Sequence, residues 1–193
     1  MFEHSLKKHD SKELKGRFSL QMLLEEIQKK TYRPTELSGL LKEFSFLIKD
    51  LQPYMHFSQT SYTRNLIFSD EQLEIMLICW PPESLTKIHD HPYSHAWVLG
   101  LLGQVDEMTY QISTPSSYPQ LKRTQTITAG RLSYLNDQMG VHQLSTKGRS
   151  SDAVTLHCYS PPILSCYHYD SESSQRKKAH MSFYSEYGRV NSP

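Results

Sequence analysis

The sequence predicts a fold dominated by β-strands, an antiparallel sandwich or barrel, with α-helices at the N-terminus. From about residue 59, short apolar or alternating runs follow one another with turn residues between them and no intervening helices. Before that point, apolar residues recur at helical spacing. The length of 193 residues fits one domain with a sizeable core. We therefore expect a single domain over residues 1–193, helical over 1–58 and β-structured over 59–188.

Two helices are predicted in the N-terminal region. The first spans Phe18–Lys30, where apolar residues lie near helical spacing and Ser19 is suited to cap the N-terminus. Pro34 opens the second, in which leucine and phenylalanine recur every three or four residues as far as Leu47. Pro53 is expected to end this region.

Ten runs after residue 59 have the composition of strands. In chain order they are SYTRNLIF, LEIMLICW, IHDH, AWVLGLLG, VDEMTYQI, RTQTIT, RLSYLN, VHQLS, AVTLHCYSPP and CYHYD. The following stretch, SESSQRKKAH, is predicted to be an exposed loop that carries the basic cluster Arg176-Lys177-Lys178. We expect the stretch MSFYSEYGRV to add a last strand or an edge segment.

Composition argues against several classes of function. The 21 Lys and Arg and the 20 Asp and Glu nearly cancel and are scattered, which gives no support for a nucleic-acid partner. No apolar run reaches membrane-spanning length, and the polar N-terminus lacks the apolar core of a signal peptide. The odd set of Cys79, Cys158 and Cys166 is typical of reduced thiols. We expect a cytoplasmic protein with no membrane partner, and a monomer because no coiled-coil or repeat signal is present.

The stretch HDHPYSHAW holds the main candidates for a metal site. If it is a strand, His89 and His91 lie on one face and Asp90 on the other. Two imidazoles on one face can share a metal ion, and a third ligand from elsewhere would complete the site. The alternative for a lone His-x-His pattern is a polar strand or turn with incidental histidines.

His142 is the best candidate for the third ligand. It follows Gly140, begins a strand-like stretch, and comes about fifty residues after His91, which assigns it to a different strand. His95 is its rival, but Pro92 is expected to break the strand register, so we interpret His95 as a packed or surface histidine. The remaining histidines have no supporting context; they are His4, His9, His56, His168 and His180.

Two of the apolar strands also carry polar residues at alternate positions, which would lie on the same face of the strand. Tyr62 and Arg64 share a face, as do Thr155, His157 and Tyr159. Burying such groups without partners would be costly, so we expect them to surround a polar site inside the sandwich or barrel.

Several motifs, taken in order, resemble those of a known family. The stretch from Thr86 to Gly103, with a glycine twelve residues after His91, resembles the first cupin motif, and Gly130 to His142 resembles the second without its usual proline. SYTRNL, LICW, IHDHPYSHA, LNDQMGVH and LHCYSPP resemble the thiol dioxygenases, and the cysteine dioxygenase family closely, over about residues 62–188. The resemblance implies a cupin-type antiparallel β-barrel (jelly roll) with the N-terminal helices packed outside.

The resemblance also implies roles for individual residues. His89, His91 and His142 would bind Fe(II), as the metal ligands of the site. Arg64 would hold a substrate carboxylate, for which its planar fork is suited, and Tyr62 would shape that end of the pocket.

Further implied roles concern the neighbourhood of the active-site tyrosine. Tyr159 would hydrogen-bond near the dioxygen or the carboxylate, His157 would orient Tyr159, and Thr155 would lie behind His157 where the family usually has serine. Cys166 matches a family cysteine near the pocket mouth, and a small buried apolar role explains it as well. The bond between Ser160 and Pro161 is expected to be cis.

The implied reaction is oxidation of L-cysteine by O2, with both oxygen atoms added to sulfur to give cysteine sulfinic acid. One alternative is a dioxygenase for 3-mercaptopropionate or another small thiol, but relatives of that kind tend to carry glutamine where this chain has Arg64. Another is a non-catalytic or zinc-binding cupin module. The chain departs from the family at Ala96, where animal members have the cysteine that is crosslinked to the active-site tyrosine, so we expect no crosslink to Tyr159.

Overall fold

The computed structural model describes residues 19–29, 32–43, 48–113, 118–170 and 175–192. Within these ranges three helices come first: α1 (Leu20–Ile27), α2 (Pro34–Glu43) and α3 (Ile48–Leu51), with a 3-10 turn over Gln52–Tyr54. The Ser19 hydroxyl accepts a hydrogen bond from the Met22 amide and caps α1, as predicted. The predicted helix limits at Phe18, Lys30 and Leu47 lie outside the described residues.

In the part of the chain that the structure describes, thirteen strands follow the helices. They are β1 (Thr63–Ser69), β2 (Glu74–Trp80), β3 (Ile88–His89), β4 (His95–Leu102), β5 (Gln104–Gln111), β6 (Gln120–Thr128), β7 (Leu132–Leu135), β8 (Val141–Ser145), β9 (Ala153–Ser160), β10 (Ser165–Tyr169), β11 (Arg176–His180), β12 (Ser185–Glu186) and β13 (Arg189–Val190).

The strands form two sheets. One has seven strands in the order β13-β12-β1-β2-β9-β4-β7, and the other has six in the order β11-β10-β3-β8-β5-β6. The predicted jelly-roll arrangement of two sheets is thereby confirmed. The pairing of β1 with β12 is parallel, a departure from the antiparallel prediction that arises because β12 returns to the sheet edge from a distant part of the chain.

The two faces of the seven-stranded sheet are covered by different partners. On the inner face, side chains of both sheets meet in an apolar core that includes Met76, Ile78, Val98, Val105, Ile127 and Leu144. On the outer face, the helices contribute Leu23, Leu37 and Leu41, which pack against Leu77, Leu99 and Leu156. The helices therefore lie outside the sheets, as predicted, and every residue of β2 is buried.

The stretch 171–180 corrects one sequence-based prediction. It was expected to be an exposed loop, but Arg176–His180 forms β11 and pairs antiparallel with β10 from Ser165 to Tyr169. The strand is held by backbone pairing at a sheet edge, so its polar and exposed side chains gave no apolar signal. Residues 171–174 lie outside the described part of the chain.

The end of the chain adds two short strands, β12 and β13, at the edge of the seven-stranded sheet, in line with the edge segment expected there. None of the helices in the described part of the chain has the length and apolar character needed to cross a lipid bilayer.

Candidate metal centre

Three histidines converge on the six-stranded sheet. His89 on β3 is the register partner of His142 on β8, and His91 follows β3 in the turn toward β4. One ring nitrogen from each of the three lies within 4.8 Å of the others, and the Nε2 atoms of His89 and His142 are 3.2 Å apart. Asp90 turns the other way, toward β10, where it accepts hydrogen bonds from the Tyr167 amide and the Tyr169 hydroxyl. Asp90 thus anchors the segment between the two histidines that face the cavity.

Hydrogen bonds at the opposite ring nitrogens fix two of the imidazoles. The Nδ1 of His89 lies 2.8 Å from the carbonyl of Lys87, and the Nδ1 of His142 lies 2.8 Å from Oε1 of Glu107. Both partners accept only, so each Nδ1 carries the proton and each Nε2 has a free lone pair. This is the tautomer that a metal ligand requires.

His91 supplies a separate indication of a ligand. It is 2% exposed, and neither of its ring nitrogens has a hydrogen-bond partner among the described residues. Burial and the adjacent imidazoles lower the pKa of His89 to about 3 and the pKa of His91 well below its ordinary value, so both rings stay neutral. A buried, neutral imidazole without a partner fits a divalent metal, which would also bind the lone pairs of its two neighbours.

Glu107 on β5 supports the centre from behind. Its carboxylate accepts from His142 and also from the Ser133 hydroxyl and the Gln125 amide. Burial alone would raise the pKa of Glu107, but these hydrogen bonds, that from His142 foremost, lower it to about 2. At neutral pH an ionised carboxylate therefore faces the imidazole of His142, and this carboxylate raises the basicity of that ring.

A cavity of about 470 Å³ opens beside the three histidines. It lies between the two sheets and is lined by residues from both, among them Tyr62, Arg64, Ile78, His89, His91, Leu144, His157, Tyr159, Ile163 and Cys166. The sequence-predicted site residues from β1, β3 and β9 are therefore brought to one space. Ile78, Leu144 and Ile163 make part of its wall apolar.

A chain of hydrogen bonds runs along β9 to the cavity. The Trp80 indole donates to Thr155 Oγ1 at 2.8 Å, Thr155 Oγ1 lies 2.8 Å from His157 Nε2, and His157 Nδ1 lies 3.0 Å from the Tyr159 hydroxyl. The Trp80 indole occupies one acceptor site of Thr155 Oγ1 and leaves the Thr155 proton available to His157; we assign that proton to His157 Nε2 and the ring proton to Nδ1, which donates to Tyr159. The Tyr159 proton is then free to point into the cavity.

Both groups at the end of this chain are uncharged. Burial, reinforced by His142, lowers the pKa of His157 well below its ordinary value. Burial likewise raises the pKa of Tyr159, so its phenol keeps its proton. Tyr159 is therefore a hydrogen-bond donor at the wall of the cavity.

Arg64 brings a largely buried positive charge to the cavity. Its Nη1 donates to the Ser182 carbonyl at 2.9 Å, and its guanidinium carbon lies 5.0 Å from the centre of the Phe183 ring. Its Nη2 lies 3.6 Å from Oε1 of Glu74, which is itself almost fully buried. Tyr62 lies nearby, with its ring 5.1 Å from that of Trp80. An arginine held on two sides in a concave site suits an anionic group of a small ligand.

Ala96 and one of the three cysteines lie on the same side of the sheet as Tyr159. Ala96 is buried on β4 and is the register partner of Tyr159. Cys79 and Cys158 pack on the helix side of the seven-stranded sheet, whereas Cys166 shares the core between the sheets with Tyr159. Burial raises the pKa of the Cys166 thiol to about 11, so it stays protonated.

Sequence reasoning missed several residues of the site. Glu74 and Trp80 were not singled out, although each is a polar or polar-tipped residue in the otherwise apolar β2. Glu107 was also missed, because β5 carries several other polar residues and its sequence does not distinguish Glu107 from them. His168, interpreted as a histidine without context, lines the cavity and pairs with His89 across β10 and β3. His168 lies two residues after Cys166, so alternation along a strand would have assigned both side chains to the same face.

The histidines that were not predicted to be ligands lie outside the metal centre or outside the described residues. His95 is stacked on Tyr134 and bonded to its hydroxyl, in keeping with its interpretation as a packed histidine. His180 lines the cavity on the β11 side, His56 lies before β1, and His4 and His9 fall outside the described residues. The Ser160–Pro161 bond is cis, as the resemblance implied.

Comparison with known proteins gives matches over most of the chain. Residues 11–172 match the family model described as cysteine dioxygenase type I. Cysteine dioxygenase type 1 from Homo sapiens is 31% identical over 155 residues, which cover 79% of this chain and 78% of the relative. The Rattus norvegicus protein of the same name is 29% identical over the same length and shares. Among solved structures, an uncharacterized conserved protein with a double-stranded beta-helix domain from Klebsiella pneumoniae gives a TM-score of 0.48 at 11% identity, covering 68% of this chain and 95% of that one.

Proposed function

The chain belongs to the cysteine dioxygenase type I family, and from that premise we propose that it is a non-haem Fe(II) dioxygenase that converts L-cysteine and O2 to cysteine sulfinic acid. Both oxygen atoms are added to the sulfur, so atoms and electrons balance without an external reductant. The observation that carries the proposal is that a three-histidine centre, Arg64 and Tyr159 surround one cavity. Fe(II) bound by His89, His91 and His142 would hold the thiolate and activate dioxygen.

The side chains of the cavity have complementary tasks in this proposal. Arg64 binds the substrate carboxylate, held in place by Ser182 and Phe183, and Tyr62 limits that end of the cavity. His157 donates to Tyr159 and so directs the Tyr159 proton toward the reacting oxygens. Orientation of the thiol and removal of water by the apolar wall contribute to the rate.

We further propose a cytoplasmic location and a monomeric state. Three unpaired, buried cysteines are what a reducing compartment permits. Light scattering on the purified protein tests the monomer, and a mass twice that of the chain would contradict it.

The decisive experiment is oxygen uptake by the Fe(II)-loaded protein, with L-cysteine and 3-mercaptopropionate compared side by side. We expect uptake with L-cysteine, matched one to one by sulfinate, because this chain has Arg64 where relatives that act on 3-mercaptopropionate tend to carry glutamine. Uptake with 3-mercaptopropionate alone would keep the reaction and change the substrate. No uptake with either thiol, in protein whose iron is shown to be bound, would leave a non-catalytic or zinc-binding cupin module.

A further inference from the structure

Glu74 is a buried carboxylate that the proposed reaction does not use. Its side chain is 4% exposed, and Oε1 has no hydrogen-bond donor among the described residues. Glu74 is the register partner of Tyr159, so its side chain lies on the inner face of the sheet with Tyr159. Its charged neighbour is Arg64, whose Nη2 lies 3.6 Å away. A buried carboxylate with an oxygen that lacks a donor calls for a functional explanation.

A role in holding Arg64 in place does not explain why a carboxylate is buried at position 74. The guanidinium is already oriented by its hydrogen bond to the Ser182 carbonyl and by the ring of Phe183. At 3.6 Å and without a hydrogen bond to Oε1, Glu74 acts on Arg64 through charge more than through geometry. Its main effect is therefore on the positive potential that Arg64 offers to the cavity.

We propose that Glu74 is a specificity-determining residue that competes with the substrate carboxylate for Arg64. The Arg64–Glu74 pair, and not Arg64 alone, then sets how strongly a thiol with a carboxylate is bound. This inference rests on the proposed function of the cavity, since it assumes that small thiols bind beside Arg64. Under this proposal Glu74 weakens the binding of a substrate carboxylate, whereas a residue that orients Arg64 would strengthen it.

The sign of the effect follows from the competition of two carboxylates for one cation. An ionised Glu74 offsets the positive charge that Arg64 presents to the substrate carboxylate, whereas a protonated Glu74 does not. Arg64 on β1 and Tyr159 on β9 are the charged and titratable groups that face Glu74 from the adjacent strands. Burial raises the pKa of Glu74 to about 7, although Arg64 opposes this, and Tyr159 stays neutral. Competition should thus increase as the pH rises through neutrality.

The test is anaerobic binding of three thiols to the full-length Fe(II)-loaded protein, measured by calorimetry. L-cysteine and 3-mercaptopropionate carry a carboxylate, and cysteamine does not. At about pH 8, Glu74→Gln should lower the Kd of the two carboxylates by about tenfold and leave that of cysteamine unchanged. At about pH 6, where wild-type Glu74 is mostly protonated, the difference between wild type and variant should shrink.

Two further variants make the comparison specific. Glu71→Gln removes an exposed charge from the β1–β2 turn and should change none of the three affinities. In an Arg64→Gln background, the Glu74 substitution should lose its effect on the carboxylates, because its action passes through Arg64. If Glu74→Gln does not fold, Glu74→Met removes the same charge with a side chain suited to the core.

Several outcomes would overturn the proposal. They are weaker binding of the carboxylates by Glu74→Gln, equal changes for all three thiols, no change at all, and an effect that persists without Arg64. If no thiol binds to the wild-type protein, both this proposal and the proposed function fail. If thiols bind but none is oxidised in air, the proposed function alone fails, and the binding comparison still decides the role of Glu74.

Discussion

At the residue scale, the chemistry of the centre depends on which ring nitrogen carries the proton. The Nδ1–H of His142 donates a hydrogen bond to the ionised Glu107, and that of His89 donates to the backbone carbonyl of Lys87. A carbonyl can only orient a ring, whereas a carboxylate also makes the ring more basic. Glu107 should therefore contribute to metal affinity although it is too remote to be a ligand.

Glu107→Gln tests this contribution. The glutamine can still accept from His142, but the charge is lost, and we expect metal affinity to fall by about 10- to 100-fold. Anaerobic competition with a coloured chelator measures the affinity for Fe(II). The matched control is Asp106→Asn, which removes a charge from the adjacent residue, paired with Arg149 on the other side of β5. Equal affinities in wild type and Glu107→Gln would reduce Glu107 to a structural partner of His142.

Tyr159 should carry no covalent link to a cysteine. Ala96 occupies the position opposite Tyr159, and Cys79 and Cys158 lie on the far side of the sheet. We expect the mass of the aerobically purified, active protein to equal that of its sequence. A tryptic peptide that joins Tyr159 to Cys166 with the loss of two hydrogens would contradict this, because Cys166 is the cysteine that shares its core.

The same residues explain what the sequence could reveal about the site. His89, His91, His142, Arg64 and Tyr159 stand out because each is a polar group whose spacing or strand parity assigns it to the inside. Their partners on other strands were missed: Glu107 and Glu74 meet His142 and Arg64 only through the pairing of β5 with β8 and of β1 with β2. Strand pairing is a long-range property that local spacing does not specify.

At the element scale, one turn controls how β8 presents His142. Gly140 has φ +117°, and a Cβ at this position would come within 2.2 Å of the Tyr110 carbonyl on β5. The carbonyl belongs to backbone that pairs with β8, so it cannot move without disturbing the register next to His142. The glycine is therefore needed for both its conformation and its lack of a side chain.

Gly140→Ala should accordingly destabilise the protein and weaken metal binding together. Its control is Gly130→Ala, since Gly130 also has a positive φ of +78° but an added Cβ would meet nothing within 4 Å. The control should lose about 1–2 kcal/mol from backbone strain alone, with metal affinity unchanged. Urea unfolding and chelator competition measure the two effects. Equal losses in the two variants would mean that the approach to Tyr110 has no consequence.

The elements also divide into those that the sequence predicts well and those that it does not. β2 is almost entirely apolar, and β9 is buried over all but its last residue, because the helices cover one face of this sheet and the second sheet covers the other; both strands were recognised. β11 was mistaken for a loop, since its side chains are mostly exposed and its backbone pairing with β10 leaves no pattern of burial. The apolar alternation on which prediction depends is thus strongest near the core and weakest at the sheet edges.

At the scale of the whole molecule, the metal centre lies where the six-stranded sheet has its shortest strand. β3 has two residues and joins β10 to β8 through three register pairs in all. The three histidines come from this strand, the turn after it and β8, so a bound ion would link segments that short backbone pairing alone holds together. Metal binding should therefore stabilise the fold as a whole.

Thermal unfolding under anaerobic conditions measures this linkage. At free Fe(II) about 100 times its Kd, the stabilisation should be about 2.7 kcal/mol, if the unfolded chain does not bind the ion. For a protein of this size, that corresponds to a rise in Tm of about 5–10 °C. His142→Ala should abolish the rise, because it removes one of the three ligands, while His180→Ala, a change at a histidine of the cavity wall outside the triad, should preserve it. A full shift in His142→Ala, or its loss in His180→Ala, would place the ion elsewhere than among His89, His91 and His142.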